Sequence, residues 1–240
     1  MHLYLSPHHD DVCFSLGHLA RRQGGELINL FTRSDYVAAP LELPNDGRAK
    51  IEAVSRIRRE EDLRYSLACG LSRHDLGLEE PSLHGIRPFD LRGIEDEVIV
   101  LGERLLPFLQ ERLASAVPAA ALYCPIGIGG HRDHVATMMT IRRHFDLIRE
   151  GCTVFLYEDL PYASHPAVRE TGIQRAARIF EGMPLSRLVI RLPRAGIRRK
   201  MEDVGFYPSQ HDRPPKPSRY TPASEVAPAV HEVVWRVEGA

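Results

Sequence analysis

The 240-residue chain has only four cysteines, Cys13, Cys69, Cys124 and Cys152, widely separated and with no CxxC pair. That spacing offers neither a disulfide framework nor a thiolate zinc site; it suits a reducing cytoplasm, with each thiol packed as a small core residue. Charge of one sign is also missing: 31 Lys plus Arg stand against 32 Asp plus Glu, a formal net charge of −1. Nucleic-acid binding draws its affinity from clustered basic residues, so no nucleic-acid partner is expected. The longest loosely apolar stretch, around residues 115–129, is interrupted by Pro118 and Pro125, and it falls short of the roughly 20 residues that cross a bilayer. No membrane insertion is expected. The opening Met-His-Leu-Tyr-Leu-Ser-Pro lacks a basic segment followed by an apolar run, so no secretory signal is expected either.

What remains is a globular composition, with 43% hydrophobic residues and 18 glycines, for which disorder, collagen and coiled coil are poor fits. One domain over 1–240 is expected rather than two small ones. A folded chain of this size buries roughly 70–75% of its unfolded surface and needs no structural metal, so any metal is suspected of chemistry.

Short apolar runs alternate with segments of helical period. Strands are expected at 3–5, 27–31, 119–124, 153–157 and 188–192, with a weaker one at 76–78. Helices are expected at 14–22, 48–69, 94–113, 135–148, 173–180 and 197–203, with Pro107 bending or shortening the third. The alternation implies an α/β fold: a parallel sheet with helices on both faces. Residues 35–47 read as a loop long enough to be a lid. The tail at 208–228, with six prolines, should wrap the surface in extended form, and 231–237 should add an edge strand.

Two clusters carry the chemistry. His8-His9-Asp10-Asp11 follows the first strand, and His131-Arg132-Asp133-His134 follows the strand ending at Cys124. In open α/β sheets, sites form beyond the carboxyl ends of the strands, so both clusters point to one rim. Together they can supply three nitrogen or oxygen ligands to a divalent metal and leave a position for water. The polar groups left over suffice for a general base, an electrophile and an orienting carboxylate. The plainer alternative is that Asp10 or Asp11 simply caps the following helix. The glycine-rich 125–130 segment lacks the GK[ST] ending of a P-loop and reads as a hinge. Glu158 and Asp159 follow a strand toward the same rim, facing either substrate or solvent.

Ser6-Pro7-His8-His9-Asp10-Asp11 resembles the (S/A)-(P/H)-H-x-D-D motif of the PIG-L/LmbE-like deacetylases, and Gly130-His131-Arg132-Asp133-His134 resembles their G-H-x-D-H. Arg58-Arg59-Glu60-Glu61 is similar to their R-x-x-E, and Lys200 to Gln210 to a later motif in which Tyr207 replaces a histidine. The segment from Tyr157 to Tyr162 resembles one bacterial branch. The resemblance implies a Rossmann-like hydrolase with its metal site at the C-terminal edge of the strands. It would remove an acyl group, usually acetyl, from the amine of an N-acetylglucosamine-type conjugate, a small-molecule partner. It implies His8, Asp11 and His134 as ligands of one Zn2+, with Fe2+ able to share them, and Asp10 as general base. A protonated His131 would stand beside the substrate carbonyl, oriented by Asp133. Arg58, Glu158 and Tyr207 are the substrate-binding candidates. Some members carry a tyrosine where this chain has Gly129. Two other readings share these residues: a metal-dependent phosphoesterase, which typically uses two metals, and a non-catalytic sugar-binding protein on the same fold.

Overall fold

Consecutive apolar residues form the centre of the protein, because a parallel strand covered on both faces needs them on both sides. In the computed structural model, which describes residues 1–45, 47–114, 120–224 and 229–239, Leu3, Tyr4, Leu5, Leu27, Ile28, Leu30 and Leu122 are all fully buried. They belong to β1 (His2–Ser6), β2 (Gly25–Arg33) and β4 (Ala120–Pro125). With β3 (Leu71–Glu79) and β5 (Cys152–Tyr157), these strands pair in parallel in the order β3-β2-β1-β4-β5. In that order the winding reverses between β1 and β4, the switch point at which α/β sheets bind ligands. Both His/Asp clusters leave these two strands.

Seven α-helices are described: α1 (Asp11–Gln23), α2 (Gly47–Cys69), α3 (Ile94–Leu113), α4 (Arg132–Arg143), α5 (Phe145–Ile148), α6 (Pro166–Ile179) and α7 (Arg194–Val204). α1 packs with α2 and α7, and α3 with α4; right-handed crossovers put these groups on opposite faces of the sheet. No helix among the described residues is long and apolar enough to cross a membrane.

The sheet is mixed rather than wholly parallel. β7 (His231–Val237) lies between β5 and β6 (Leu185–Arg191), antiparallel to both, so it is not the expected edge strand. Burial explains the exchange: Val233, Val234 and Val237 are buried, whereas Leu188 and Val189 of β6 are exposed. The apolar strand takes the interior position and the polar one the edge. Pro107 does not shorten α3, and the helix expected at 135–148 starts at Arg132 and breaks at His144, giving α4 and α5. The weak strand at 76–78 is the end of the nine-residue β3. Residues 115–119, which include the first residue of one expected strand and much of the apolar stretch, lie outside the described residues, as do 225–228 of the tail.

α1 is broken at Leu16 (φ −125°, ψ 18°), and a buried ion pair satisfies the break. The N–H groups of His18 and Leu19 donate to the Glu232 carboxylate of β7 at 2.9 and 3.0 Å. Lys200 of α7 donates to Glu232 at 2.8 Å and to the Ser15 carbonyl at 3.4 Å. Removing one partner of such a pair strands the other charge in the interior, at a cost of about 3–5 kcal/mol. Lys200→Met is therefore expected to lower the unfolding free energy in urea by about that amount; a loss below about 1 kcal/mol would show that the pair does not hold the break.

Candidate active site

Asp10 occupies the N-cap position of α1 and Asp11 opens the helix, yet no side-chain cap forms. Asp11 Oδ2 instead accepts the backbone N–H of His8 at 2.7 Å, which curls the loop so that the His8 ring faces the carboxylate. Asp11 Oδ2 then lies 3.2 Å from His8 Nδ1 and 3.3 Å from His134 Nε2, and the two ring nitrogens are 3.4 Å apart. Ligand bonds of about 2.0–2.1 Å at tetrahedral angles would set neighbouring donor atoms about 3.3–3.4 Å apart. The three atoms thus have the size of one face of a coordination tetrahedron, and these residues fit a divalent cation.

Two more carboxylates stand behind the imidazoles. His8 Nε2 donates to Asp133 Oδ2 at 2.8 Å, and His134 Nδ1 donates to Asp159 Oδ1 at 2.7 Å. Asp159 Oδ2 also accepts the Ile128 N–H at 2.7 Å, tying the β4 loop to the β5 loop. Each bond fixes the tautomer and leaves the other ring nitrogen facing Asp11, the arrangement that supports metal-ligating histidines. Burial alone would lower the histidine pKa values. The Asp11 charge and the hydrogen bonds outweigh it, raising His8 well above its usual range and His134 to about 10. Burial works to raise the Asp11 pKa, but the two imidazoles hold it well below the usual carboxylate range. The protein's own charges call for positive charge here.

The remaining expected residues divide. Asp10 lines the cavity and accepts from Arg58 at 3.1 Å. The buried Arg58 also donates to Glu80 at 2.9 Å and Ser34 at 3.1 Å, so it holds Asp10 in place as well as lining the cavity. Asp133 does not orient His131: the His131 Nδ1 lies 4.0 Å from Asp133 Oδ1, because α4 starts at Arg132 and turns the carboxylate toward His8. His131 lines the cavity with an unpartnered Nδ1. Burial and then the neighbouring His8 push its pKa down to about 3, so these charges favour a neutral ring over the expected imidazolium.

Glu158 and Tyr207 do not reach the cavity. Glu158 accepts twice from Arg169, at 2.6 Å each, and from Trp235 Nε1 at 3.0 Å. Extended backbone sends successive side chains to opposite sides, so Asp159 meets the site and Glu158 leaves it. Tyr207 is buried against Phe14 and Tyr65 and donates to Asp62 at 2.7 Å.

The site opens into a cavity of about 650 Å³ whose walls include Tyr36, Phe89, Tyr162 and Tyr220. Sequence reasoning gave these rings no role; they stand on four separate connecting segments and share no motif. The Pro-rich tail forms one wall, with Gln210, Asp212 and Tyr220. It is fastened by Glu61, whose carboxylate accepts the Ser209 N–H at 2.8 Å and hydroxyl at 2.6 Å. The loop at 35–45 is anchored in turn, since the Ala38 and Ala39 N–H groups donate to the Ser209 carbonyl. A second acidic cluster, His9 with Asp62 and Asp75, already holds a cation: Arg73 bonds Asp62 at 2.5 Å and Asp75 at 2.6 Å.

No family model matches the chain. Among solved structures, a deacetylase–teicoplanin complex from the teicoplanin biosynthesis pathway is similar, with a TM-score of 0.67 at 20% identity, covering 100% of this chain and 98% of that one. A pseudoaglycone deacetylase for an antimicrobial reagent gives 0.64 at 21% identity, covering 98% and 96%. The zinc-inhibited form of a teicoplanin deacetylase gives 0.62 at 19%, covering 98% and 97%. At these identities the likeness shows the fold. A 2'-N-acetylparomamine deacetylase of Streptomyces fradiae is 32% identical over 88% of this chain and 73% of that protein. By that relationship, the chain belongs to the family of the Streptomyces fradiae deacetylase.

Proposed function

We propose that the protein is a metal-dependent N-deacetylase of the PIG-L/LmbE-like kind, releasing acetate from the amine of a small amino-sugar conjugate in the cytoplasm. The observation that carries the reading is the triangle of His8 Nδ1, Asp11 Oδ2 and His134 Nε2, backed by Asp133 and Asp159 and open to the cavity. It sits on the Rossmann-like half of the sheet. The substrate class follows from the family relative, whose name specifies an N-acetylated amino sugar. Zinc is the proposed cation; iron accepts the same nitrogen and oxygen donors.

When bound, such a cation supplies Lewis acidity toward the acyl carbonyl and lowers the pKa of water toward about 7. Asp10, in the same cavity, is the general base: its carboxylate takes the proton of the attacking water and Arg58 fixes its direction. An amine leaves readily only when protonated, so Asp10, once protonated, returns that proton to the nitrogen. His131 faces the same space as a neutral hydrogen-bonding ring. Asp133 and Asp159 hold the two imidazoles in the ligating tautomer. A two-metal phosphoesterase fits less well, because the second His/Asp cluster of the described residues is filled by the Arg73 guanidinium.

Mass spectrometry of N-acetylated amino-sugar conjugates, incubated with metal-loaded protein, is expected to show loss of one acetyl group; no loss across the panel would contradict the reading. Asp10→Asn is expected to slow that reaction by about 10²–10⁴-fold while metal content stays that of the wild type, as read by elemental analysis. Asp159→Asn is expected to weaken metal binding by about 10–100-fold in a competition titration with a chelator. Unchanged affinity would remove Asp159 from the account. In the wild-type titration, affinity should rise with pH, since protons held on His8 and His134 must leave as the ligand nitrogens engage.

A further inference from the structure

Phe89, in the connection between β3 and α3, lines the cavity with 59% of its surface exposed. Its ring centroid is 5.5 Å from that of His131 and 6.4 Å from that of Tyr162, with the planes at 78° and 85°. Neither partner lies flat on it. A phenyl ring left in water is unfavourable, and contact with another apolar surface removes that penalty. Single exposed apolar side chains are ordinary, but this one is held in place from behind. Arg132 is 3% exposed and stands between His131 and Asp133 at the start of α4. Its Nη1 donates to the carbonyls of Asp90 and Arg92 at 2.6 and 3.0 Å, its Nη2 donates to the Gly93 carbonyl at 3.0 Å, and its Nε pairs with Glu97 of α3. The Arg132 backbone N–H donates to the Pro88 carbonyl at 2.6 Å. A planar guanidinium presents its donors in a fixed fork, so bonds to several carbonyls set orientation as well as distance. The segment that carries Phe89 is thereby fixed to the segment that carries His131 and His134.

The chemistry of the reaction says what meets this ring. In an N-acetyl amino sugar the amide nitrogen is bonded to a ring carbon, so the pyranose begins two bonds from the acyl carbon. With that carbon at the triangle of His8, Asp11 and His134, the sugar ring lies among the groups around the triangle, where His131 and then Phe89 form the wall. A pyranose carries hydroxyls around its rim and C–H groups on its faces. A flat apolar ring covers such a face while the hydroxyls keep polar partners. We propose that Phe89 is a specificity-determining residue, a platform on which the C–H face of the substrate's sugar ring stacks, and that Arg132 is the positioning residue that holds the platform beside the ligand segment. The proposal rests on the deacetylase reading and names what selects the sugar within it. The pyranose keeps its shape while the amide reacts, so the contact is equal in ground state and transition state and is felt in KM rather than kcat.

The test is Phe89→Ala, assayed on an N-acetyl amino sugar that the wild type cleaves. KM is expected to rise about 5–30-fold, with kcat within about threefold and unchanged metal content and melting curve. Phe89→Tyr and Phe89→Trp, which keep a flat ring, should return KM to near the wild-type value. Arg132→Lys keeps the charge beside Glu97 and loses the fork; it should raise KM by itself and add little to Phe89→Ala. Effects of the two that multiply would overturn the positioning role. Unchanged KM in Phe89→Ala, or a loss confined to kcat, overturns the platform and leaves the deacetylase reading standing. If the wild type cleaves no N-acyl amino sugar, that reading falls, and the fluorescence of Phe89→Trp titrated with N-acetylglucosamine decides the platform alone. A saturable change absent from the wild type, whose one tryptophan is Trp235, supports it; no change overturns it.

Discussion

Three buried carboxylates, Asp11, Asp133 and Asp159, converge on two imidazoles whose facing nitrogens are 3.4 Å apart. In a water-poor interior that much negative charge needs a cation at its centre, and the rest of the molecule is arranged to present one. Parallel strands β1 and β4 end side by side where the winding of the sheet reverses, so two segments more than a hundred residues apart are delivered to the same point. The carboxylates behind the histidines come from α4 and from the turn after β5. Metal affinity, tautomer and loop position are therefore one coupled property.

Around this centre, buried charged side chains tie together segments that are distant in sequence. Glu232 and Lys200 close the break in α1, the helix that begins with Asp11. Glu61 holds Ser209, and through Ser209 both the start of the tail and the loop at 35–45. Arg58 bridges Asp10 and Glu80. The cavity is consequently walled by segments of little regular structure whose positions are set by charge rather than by backbone ladders. Stability and chemistry are linked: loosening the Lys200–Glu232 pair disturbs the helix that carries Asp11.

The site's centre was legible in the sequence because each cluster is local, a short run of His and Asp directly after an apolar strand. The parallel half of the fold was legible for the same reason. Other features depended on distances that no local pattern carries. His131 and Asp133 are neighbours in sequence, yet one early turn of α4 aims Asp133 at His8 instead. Glu158 and Asp159 differ by a single step of strand alternation, and that step sends one to Arg169 and the other to His134. Tyr207 is a substrate-binding candidate only through its place in the motif from Lys200 to Gln210, where it stands for a histidine; packing against Phe14 and Tyr65 puts it in the core. The interior place of β7 followed from comparing its burial with that of β6, which requires the assembled sheet.

The central claim is that His8, Asp11 and His134 share one divalent cation. Crystals grown with zinc and measured on both sides of its absorption edge test it directly. The account requires one strong anomalous peak about 2.0–2.2 Å from His8 Nδ1, Asp11 Oδ2 and His134 Nε2. A peak on other side chains, or none at a site whose protein is shown to carry the metal, would contradict it.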